Sequence, residues 1–414
     1  MKIGFILKDI GLNEVDMRNP LKGNPGIGGS EYLFLLLMYY LSLKSKYDVI
    51  CYHFSDNKLS DAITDNNVKT VFDALEASER DDVDYLIYQI NWGEQFYIEL
   101  AKTNLNAIAW AHCYIDKTEL KYMCEAQNVV RVVCVGKEQY DTYIDHPIID
   151  KMTYIYNMIP MENNKCRNID DNIVTYVGSL VKGKGFHILA RAWPKIKRKI
   201  PDAKLYVVGT GKLYDRTCKL GKYGIAEESY ENCFMKYLSD SEGNLKKDVF
   251  FLGILGADKN SIFKRTKVGV INPSAKTETF GLSAVEMSAY GIPIATKGKY
   301  GLYDTVINEK TGLLHHFESN LANNIIRLLR DDELNMRLGI EGKNFVNDSF
   351  CPQKIVEEWE CLFEDLYNGV ANVYIPASKH IFNDFKYLRI VNRFLRNTLN
   401  IRIIPPICEI KRTY

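Results

Sequence analysis

Residues 173–208 read IVTYVGSLVKGKGFHILARAWPKIKRKIPDAKLYVV. A short apolar run, 173–177, enters a glycine-containing turn. A helical pattern follows over 185–199, and a second apolar run closes the stretch at 204–208. Continuous rather than alternating apolarity suits strands buried on both faces, as in a parallel sheet. The stretch is therefore strand, helix, strand, the building block of an α/β fold.

The same alternation recurs on both sides. Downstream, runs at 249–252, 268–271, 292–295 and 312–315 continue the series. Upstream, runs at 3–7, 49–54, 85–90, 107–111, 129–135 and 154–159 form an earlier one, with helical stretches such as 31–43 and 92–103 between some of them. The polar segment 161–172, MENNKCRNIDDN, has little to pack and reads as a linker. The sequence thus predicts two doubly wound, Rossmann-like α/β domains facing across a cleft, 1–168 and 169–350. A helical pattern at 355–367 predicts a closing helix within 351–370 that returns to the first domain, and a tail, 371–414, follows. The polar connection 214–247 is long enough to carry a helix of its own. Ligands of open α/β sheets bind at the carboxyl ends of the strands, so the cleft is the expected site.

Composition narrows the class. Of 414 residues, 46% are apolar and 25% charged, the balance of an ordinary globular chain. Disordered, collagen-like and coiled-coil chains are excluded. Residues 1–170 hold 17 basic and 25 acidic side chains, and the remainder holds 36 and 27. A phosphate-bearing ligand would favour the second part. A net charge of +1 argues against a nucleic-acid partner. Ten cysteines without a CxxC pair indicate a reducing, cytoplasmic compartment. The longest stretches free of Asp, Glu, Lys and Arg, 32–43 and 103–115, are shorter than the roughly 20 residues of a membrane span. No signal peptide is expected.

Four segments carry chemistry. The first, 272–286, reads NPSAKTETFGLSAVE. A strand ends in Asn-Pro-Ser, and a helix starts near Gly281. Glu278 falls ahead of that helix and Glu286 more than a turn inside it. At ~1.5 Å rise per residue, the carboxylates can address groups on the order of 10 Å apart. The amides of Phe280, Gly281 and Leu282 between them can point at an anion. A nucleotide-sugar, with hydroxyls at both ends and a diphosphate between, has that layout. Capping and a solvated face would explain two glutamates alone. The preceding strand, the Pro-Ser turn, Gly281-Leu282 and Gly291-Ile292-Pro293 together favour the ligand.

In the second segment, Lys184 and Gly185 sit between a strand end and a helix start, where glycine permits close approach and lysine adds charge for phosphate. A glycine-rich turn with a solvated lysine accounts for them equally well. In the third, Gly26-Ile27-Gly28-Gly29-Ser30-Glu31 opens a helix too far from strand 3–7 for a dinucleotide fingerprint. Its Gly28 and Gly29 can still contact phosphate or sugar. In the fourth, His112 follows run 107–111, a strand's carboxyl end, where structural and functional roles are both open. Asp82-Val83-Asp84 mimics an Asp-x-Asp metal site but precedes its strand, and His315-His316 lacks further zinc ligands. No metal site is expected.

Together these pieces resemble a retaining glycosyltransferase of the two-Rossmann-domain GT-B architecture, specifically family 4. The resemblance spans roughly residues 1–370 in order. It takes in Gly28-Gly29, Ala111-His112, Tyr156-Asn157-Met158, Gly178 with Lys184-Gly185, Val208-Gly209-Thr210-Gly211, Phe251-Leu252-Gly253, the Glu278/Glu286 pair, Gly301-Leu302 and Thr311-Gly312-Leu313-Leu314. It implies a UDP- or GDP-sugar donor and no cofactor. The acceptor would be a glycan or lipid-linked hydroxyl, in cell-surface polysaccharide synthesis. Lys184 would hold the donor diphosphate, Glu278 the sugar hydroxyls and Glu286 the ribose. The amides around Phe280, Gly281 and Leu282, with Gly28-Gly29, would stabilise the departing phosphate, and His112 would line the reaction centre. Leaving-group charge is what such a site must stabilise. With Lys184 and helix amides doing so, no metal is required.

Two positions depart from the family. Ser179 stands where it usually has Arg, with Lys182 as a substitute cation, and the usual Asn-Gly near the seam is Asn157-Met158. Ser179 keeps a second reading open: a catalytically weak sugar-nucleotide-binding partner subunit. A sugar-nucleotide epimerase shares the architecture. A phosphorylase would need a pyridoxal-phosphate lysine, for which no motif is present.

In the tail, Phe382, Phe385, Leu388, Val391, Leu395 and Leu399 recur at helical spacing, and Lys386, Arg389, Arg393 and Arg396 form a second stripe. A peripheral contact of 379–402 with the inner membrane face is one reading. A helix packed across the domains, its basic face in water, is the other.

Overall fold

The computed structural model describes residues 1–12, 15–161, 167–169, 171–212 and 218–410. It comprises two α/β units. The first is Met1–Met158 with Pro352–Tyr414, and the second is Ile159–Cys351. The chain therefore divides earlier than 168/169. Part of the expected linker, 162–166 and 170, lies outside the described residues. Arg167 within it is held by the second unit, its guanidinium 2.9 Å from the Asn335 side-chain oxygen.

The first unit has seven parallel strands in the order β3-β2-β1-β4-β5-β6-β7. They are β1 (Lys2–Ile6), β2 (Asp48–His53), β3 (Thr64–Asn67), β4 (Tyr85–Gln89), β5 (Ala107–Ala111), β6 (Val129–Cys134) and β7 (Met152–Tyr154). Every residue of β4 and β5 is buried, as strands covered on both faces require. Edge strand β3, Thr-Asp-Asn-Asn, has no apolar signal because it pairs with β2 through the backbone ladder and an Asp65–His53 side-chain contact, with its side chains largely facing water. The run 154–159 was expected to be a strand. Pairing with β6 instead ends at Tyr154, and Ile155, Met158 and Ile159 are buried outside the sheet.

The helix Pro352–Tyr367 closes this unit. Its Trp359 ring lies 5.0 Å from that of Trp110, and its Phe363 ring stacks 5.9 Å from Tyr85. Glu360 pairs with Lys44 at 2.6 Å and Lys46 at 3.1 Å.

The tail helix, Lys386–Thr398, docks on the same unit the opposite way round from a basic face in water. Lys386, Arg389 and Asn392 are buried, while Leu388, Val391 and Phe394 are exposed. Lys386 lies 2.7 Å from both Glu138 and Asp141, and Asn392 donates to Asp145 at 2.8 Å. Among the described residues, no helix is long and apolar enough to cross a membrane.

The second unit has six parallel strands in the order β10-β9-β8-β11-β12-β13. They are β8 (Ile173–Val177), β9 (Lys204–Val208), β10 (Val249–Gly253), β11 (Val268–Val270), β12 (Ile294–Lys297) and β13 (Gly312–His315). The 214–247 connection contains the helix Glu228–Leu238, capped by the Glu227 side chain, although 213–217 lie outside the described residues. Buried Glu231 of this helix accepts the amides of Tyr223, Ile225 and Ala226 and fixes the loop before it. Both sheets reverse strand order beside their first strand, and such a reversal opens a crevice at the carboxyl ends. In the second unit that point lies between β8 and β11.

Candidate functional site

The loops leaving β8 and β11 carry Lys184 and Glu278 to this reversal point. After β8 a single 3₁₀ turn, Lys182–Lys184, ends at Gly185 in the left-handed region (φ 69°), and the helix Phe186–Lys199 begins. A Cβ on Gly185 would fall 2.7 Å from the Ser274 backbone nitrogen, so only glycine lets the two loops meet. The Ser274 hydroxyl lies 2.6 Å from the Gly183 carbonyl and 2.8 Å from the Asn272 side-chain oxygen.

The second loop is strained. Asn272, Ala275 and Thr277 all have positive φ (29°, 60° and 60°). Non-glycine residues persist there only where surroundings over-determine them, and such residues cluster at functional sites. The loop ends at Gly281 (φ 91°), and the helix Leu282–Ser288 follows.

The two loops bring Lys184 Nζ to 2.9 Å from Glu278 Oε2. The Asn272 amide donates to the same oxygen at 2.8 Å. Burial pushes the Glu278 carboxyl up, but Lys184, Asn272 and the Gly281 amide outweigh it and hold the carboxyl below its ordinary value. Phe280 is buried with its ring 5.3 Å from Phe350.

Glu286, inside the helix, is paired by a residue that no motif singled out. Lys259 Nζ lies 2.6 Å from its Oε1, and both side chains are nearly buried. Lys259 opens the helix Lys259–Arg265. Ser179 is buried, its hydroxyl 3.3 Å from the Thr210 carbonyl. Lys182 does not pair with Glu278. It lines a separate cavity of ≈ 440 Å³ with His187, Gly211 and Tyr230, which neither Lys184 nor Glu278 lines.

His112, Gly28 and Gly29 belong to the first unit. His112 follows β5, its ring 4.5 Å from Trp110 and 5.8 Å from Phe34. Burial pulls its pKa down to about 3, so the imidazole is neutral at pH 7. Gly28 caps the helix Gly29–Ser42. A Cβ there would fall 2.0 Å from the Glu31 carboxylate, which folds back over the helix start. Burial raises the Glu31 pKa against the pull of its own backbone amide and of Lys8. Lys8 Nζ lies 4.6 Å over the Trp92 ring. No local pattern marks Lys8, one of many isolated lysines in the sequence.

Two parallel Rossmann-like sheets, each reversing strand order beside its first strand, make up the GT-B fold. Residues 161–345, nearly the whole of the second unit, match the family model of glycosyl transferases group 1. The chain is 26% identical over 217 residues to the capsular polysaccharide biosynthesis glycosyltransferase CapM of Staphylococcus aureus. That match covers 50% of this chain and only 51% of the relative. Sucrose-phosphate synthase from Thermosynechococcus elongatus superposes with a TM-score of 0.67 at 19% identity, covering 89% of this chain and all of the other. Anabaena HepE, in complex with UDP and glucose, gives 0.62 at 14% identity over 88% of this chain and all of its own. At these identities the structures show the shared fold.

Proposed function

We propose that the protein transfers a sugar from a nucleoside diphosphate sugar, with UDP or GDP as the carrier, to a hydroxyl of a glycan or lipid-linked acceptor. The Lys184–Glu278 pair on two interlocked loops, the second of them strained, at the sheet's reversal point carries this reading. The donor's diphosphate would take Lys184 as its counter-ion, freeing Glu278 to accept hydrogen bonds from sugar hydroxyls. Glu286 would bind the ribose, oriented by Lys259. The bond between the anomeric carbon and the β-phosphate oxygen breaks, and the nucleoside diphosphate leaves with the electron pair. The acceptor oxygen bonds the same carbon on the same face, retaining configuration, and its proton passes to the departing phosphate.

Amides around Phe280, Gly281 and Leu282 and the Lys184 ammonium would stabilise the charge that develops, without a metal or cofactor. In the first unit, Gly28 and Gly29 would receive sugar or phosphate at a helix start once the Glu31 carboxylate folded over it moves aside. The neutral His112 imidazole would serve there as a hydrogen-bonding group and not as a cation. A place in cell-surface polysaccharide synthesis is supported by the likeness to CapM, a capsular polysaccharide biosynthesis glycosyltransferase.

One observation favours a second reading, a sugar-nucleotide-binding subunit with weak catalysis: Ser179 turns to a carbonyl where the family usually has a cation. Incubation with a panel of UDP- and GDP-sugars, with and without glycan acceptors and with EDTA, separates the readings. Release of nucleoside diphosphate that Glu278→Gln abolishes supports transfer. Tight donor binding without turnover supports the binding subunit.

A further inference from the structure

We propose that the outer face of the tail helix Lys386–Thr398, with the residues flanking it, docks on an anionic lipid bilayer. This inference stands apart from sugar transfer and survives its failure.

A surface helix ordinarily buries its apolar stripe and shows its charges to water. This one does the reverse. Lys386, Arg389 and Asn392 are 2%, 1% and 2% exposed. Polar partners hold them inside: Glu138 and Asp141 for Lys386, Asp384 for Arg389, Asp145 for Asn392. Arg393 lies with its guanidinium 3.7 Å over the Tyr374 ring and donates to the Ile144 carbonyl. The polar face is thus firmly seated, and the apolar face has nowhere to turn but outward. Phe382 is 81% exposed, Val391 54%, Phe394 55%, Leu399 52% and Ile403 88%. Isolated exposed apolar residues need no explanation, but a contiguous stretch of them marks an interaction site.

Charge selects the occupant. Between 379 and 404 the sole carboxylate is Asp384, buried against Arg389. The exposed cationic residues on this stretch are Lys379 and Arg402. A second copy presenting the same face would set these cations against their own kind, with no carboxylate on either side to answer them. A bilayer of anionic lipid accepts the aromatic and aliphatic side chains in its interfacial layer and the rim cations at its headgroups. The four basic residues of the helix are not the attraction, because two are buried in ion pairs and two are half-buried against carbonyls and a ring. Apolar insertion is the larger contribution, and the rim cations add preference for negative charge.

Flotation of the full-length protein tests this. Vesicles of phosphatidylethanolamine with phosphatidylglycerol should carry it upward, and phosphatidylcholine vesicles should bind it about thirtyfold less, as expected for two rim cations. The exposed double variant Val391→Asp/Phe394→Asp should lose flotation while keeping the wild-type melting curve. In case that variant misfolds, Phe394→Trp supplies an independent readout: its emission should shift to the blue when phosphatidylglycerol vesicles are added. Absence of wild-type flotation, equal flotation of the double variant, or an unshifted Phe394→Trp spectrum overturns the proposal. So does sedimentation velocity showing a wild-type dimer that the double variant dissociates without any vesicle binding, which would make the face a self-association surface.

Discussion

The Lys184 ammonium lies 2.9 Å from the Glu278 carboxylate, so each group is the other's counter-ion. Lys259 and Glu286 repeat the arrangement 2.6 Å apart. At these two pairs in the second unit each charge is answered by its partner. A donor with a diphosphate and two hydroxyl-bearing ends could replace the first pairing at little electrostatic cost, since Lys184 exchanges one anion for another.

Replacing Lys184 with methionine should weaken binding of UDP or GDP. A hydrogen bond to a charged group contributes about 1.5–3 kcal/mol, so affinity should fall by about 10–100-fold. Lys184→Arg should recover part of it, because charge is kept while the point-like geometry is not. Isothermal titration calorimetry with each nucleotide measures both. Affinity of Lys184→Met within twofold of wild type would remove Lys184 from the diphosphate.

The Glu278 carboxyl has a depressed pKa in the folded protein, which sets the sign of its pH dependence. Its contribution to stability is fully present above the unfolded-state value, near 4.5, and is lost as pH falls through the lower folded value. The melting temperature of wild type should therefore exceed that of Glu278→Gln by a constant margin from neutral pH to about 5, and the margin should shrink on further acidification. His112, its pKa pulled down from 6.5 to about 3, lowers stability as pH falls below about 6.5, but it does so equally in wild type and Glu278→Gln and cancels from the margin. A margin that changes between pH 8 and 6 would assign the titration to another group.

What the sequence could reveal depended on how each element is held. Strands β8, β9 and β13 are continuous apolar runs because both their faces are covered, and their bounds are legible in the residues. Strand β3 is not, since an edge strand needs only backbone groups to pair. Glu278 and Glu286 stood out through the strand and turn around them. Lys259 is brought to Glu286 from another helix, and no local spacing encodes that approach. In the tail, helical periodicity showed which residues share a side. It could not show which side faces inward, because that depends on Glu138, Asp141 and Asp145, far away in the chain.

The Lys259–Glu286 pair suits a double-mutant cycle. Removing one partner of a buried pair leaves an uncompensated charge and costs about 3–5 kcal/mol. For a unit of this size 1 kcal/mol moves the melting temperature by about 2–4 °C, so Lys259→Met should lower it by roughly 10 °C. Lys259→Met/Glu286→Gln should recover most of that loss, giving a coupling of more than about 1 kcal/mol. Additive effects would mean the two side chains do not meet. Lys259→Met should also raise KM for the donor more than it lowers kcat, because Glu286 is assigned to the ribose and not to the reacting carbon.

Lys386 is 2% exposed and lies 2.7 Å from both Glu138 and Asp141, with Lys137 also bonded to Asp141. Two buried carboxylates thus rely on two ammonium groups. Lys386→Met would remove the ammonium 2.7 Å from Glu138, an imbalance on the order of 3–5 kcal/mol. The cheapest relief is to release the tail, letting water reach both acids. Hydrogen exchange should therefore rise across Lys386–Thr398 in Lys386→Met, and a protease should cut there first, while β8 to β13 in the other unit keep their protection. Lys386→Met/Glu138→Gln removes one charge of each sign and should restore much of the docking. If the single variant instead melts the whole first unit in one step with no local exchange beforehand, the tail helix belongs to the cooperative core of that unit and is not a separately docked segment.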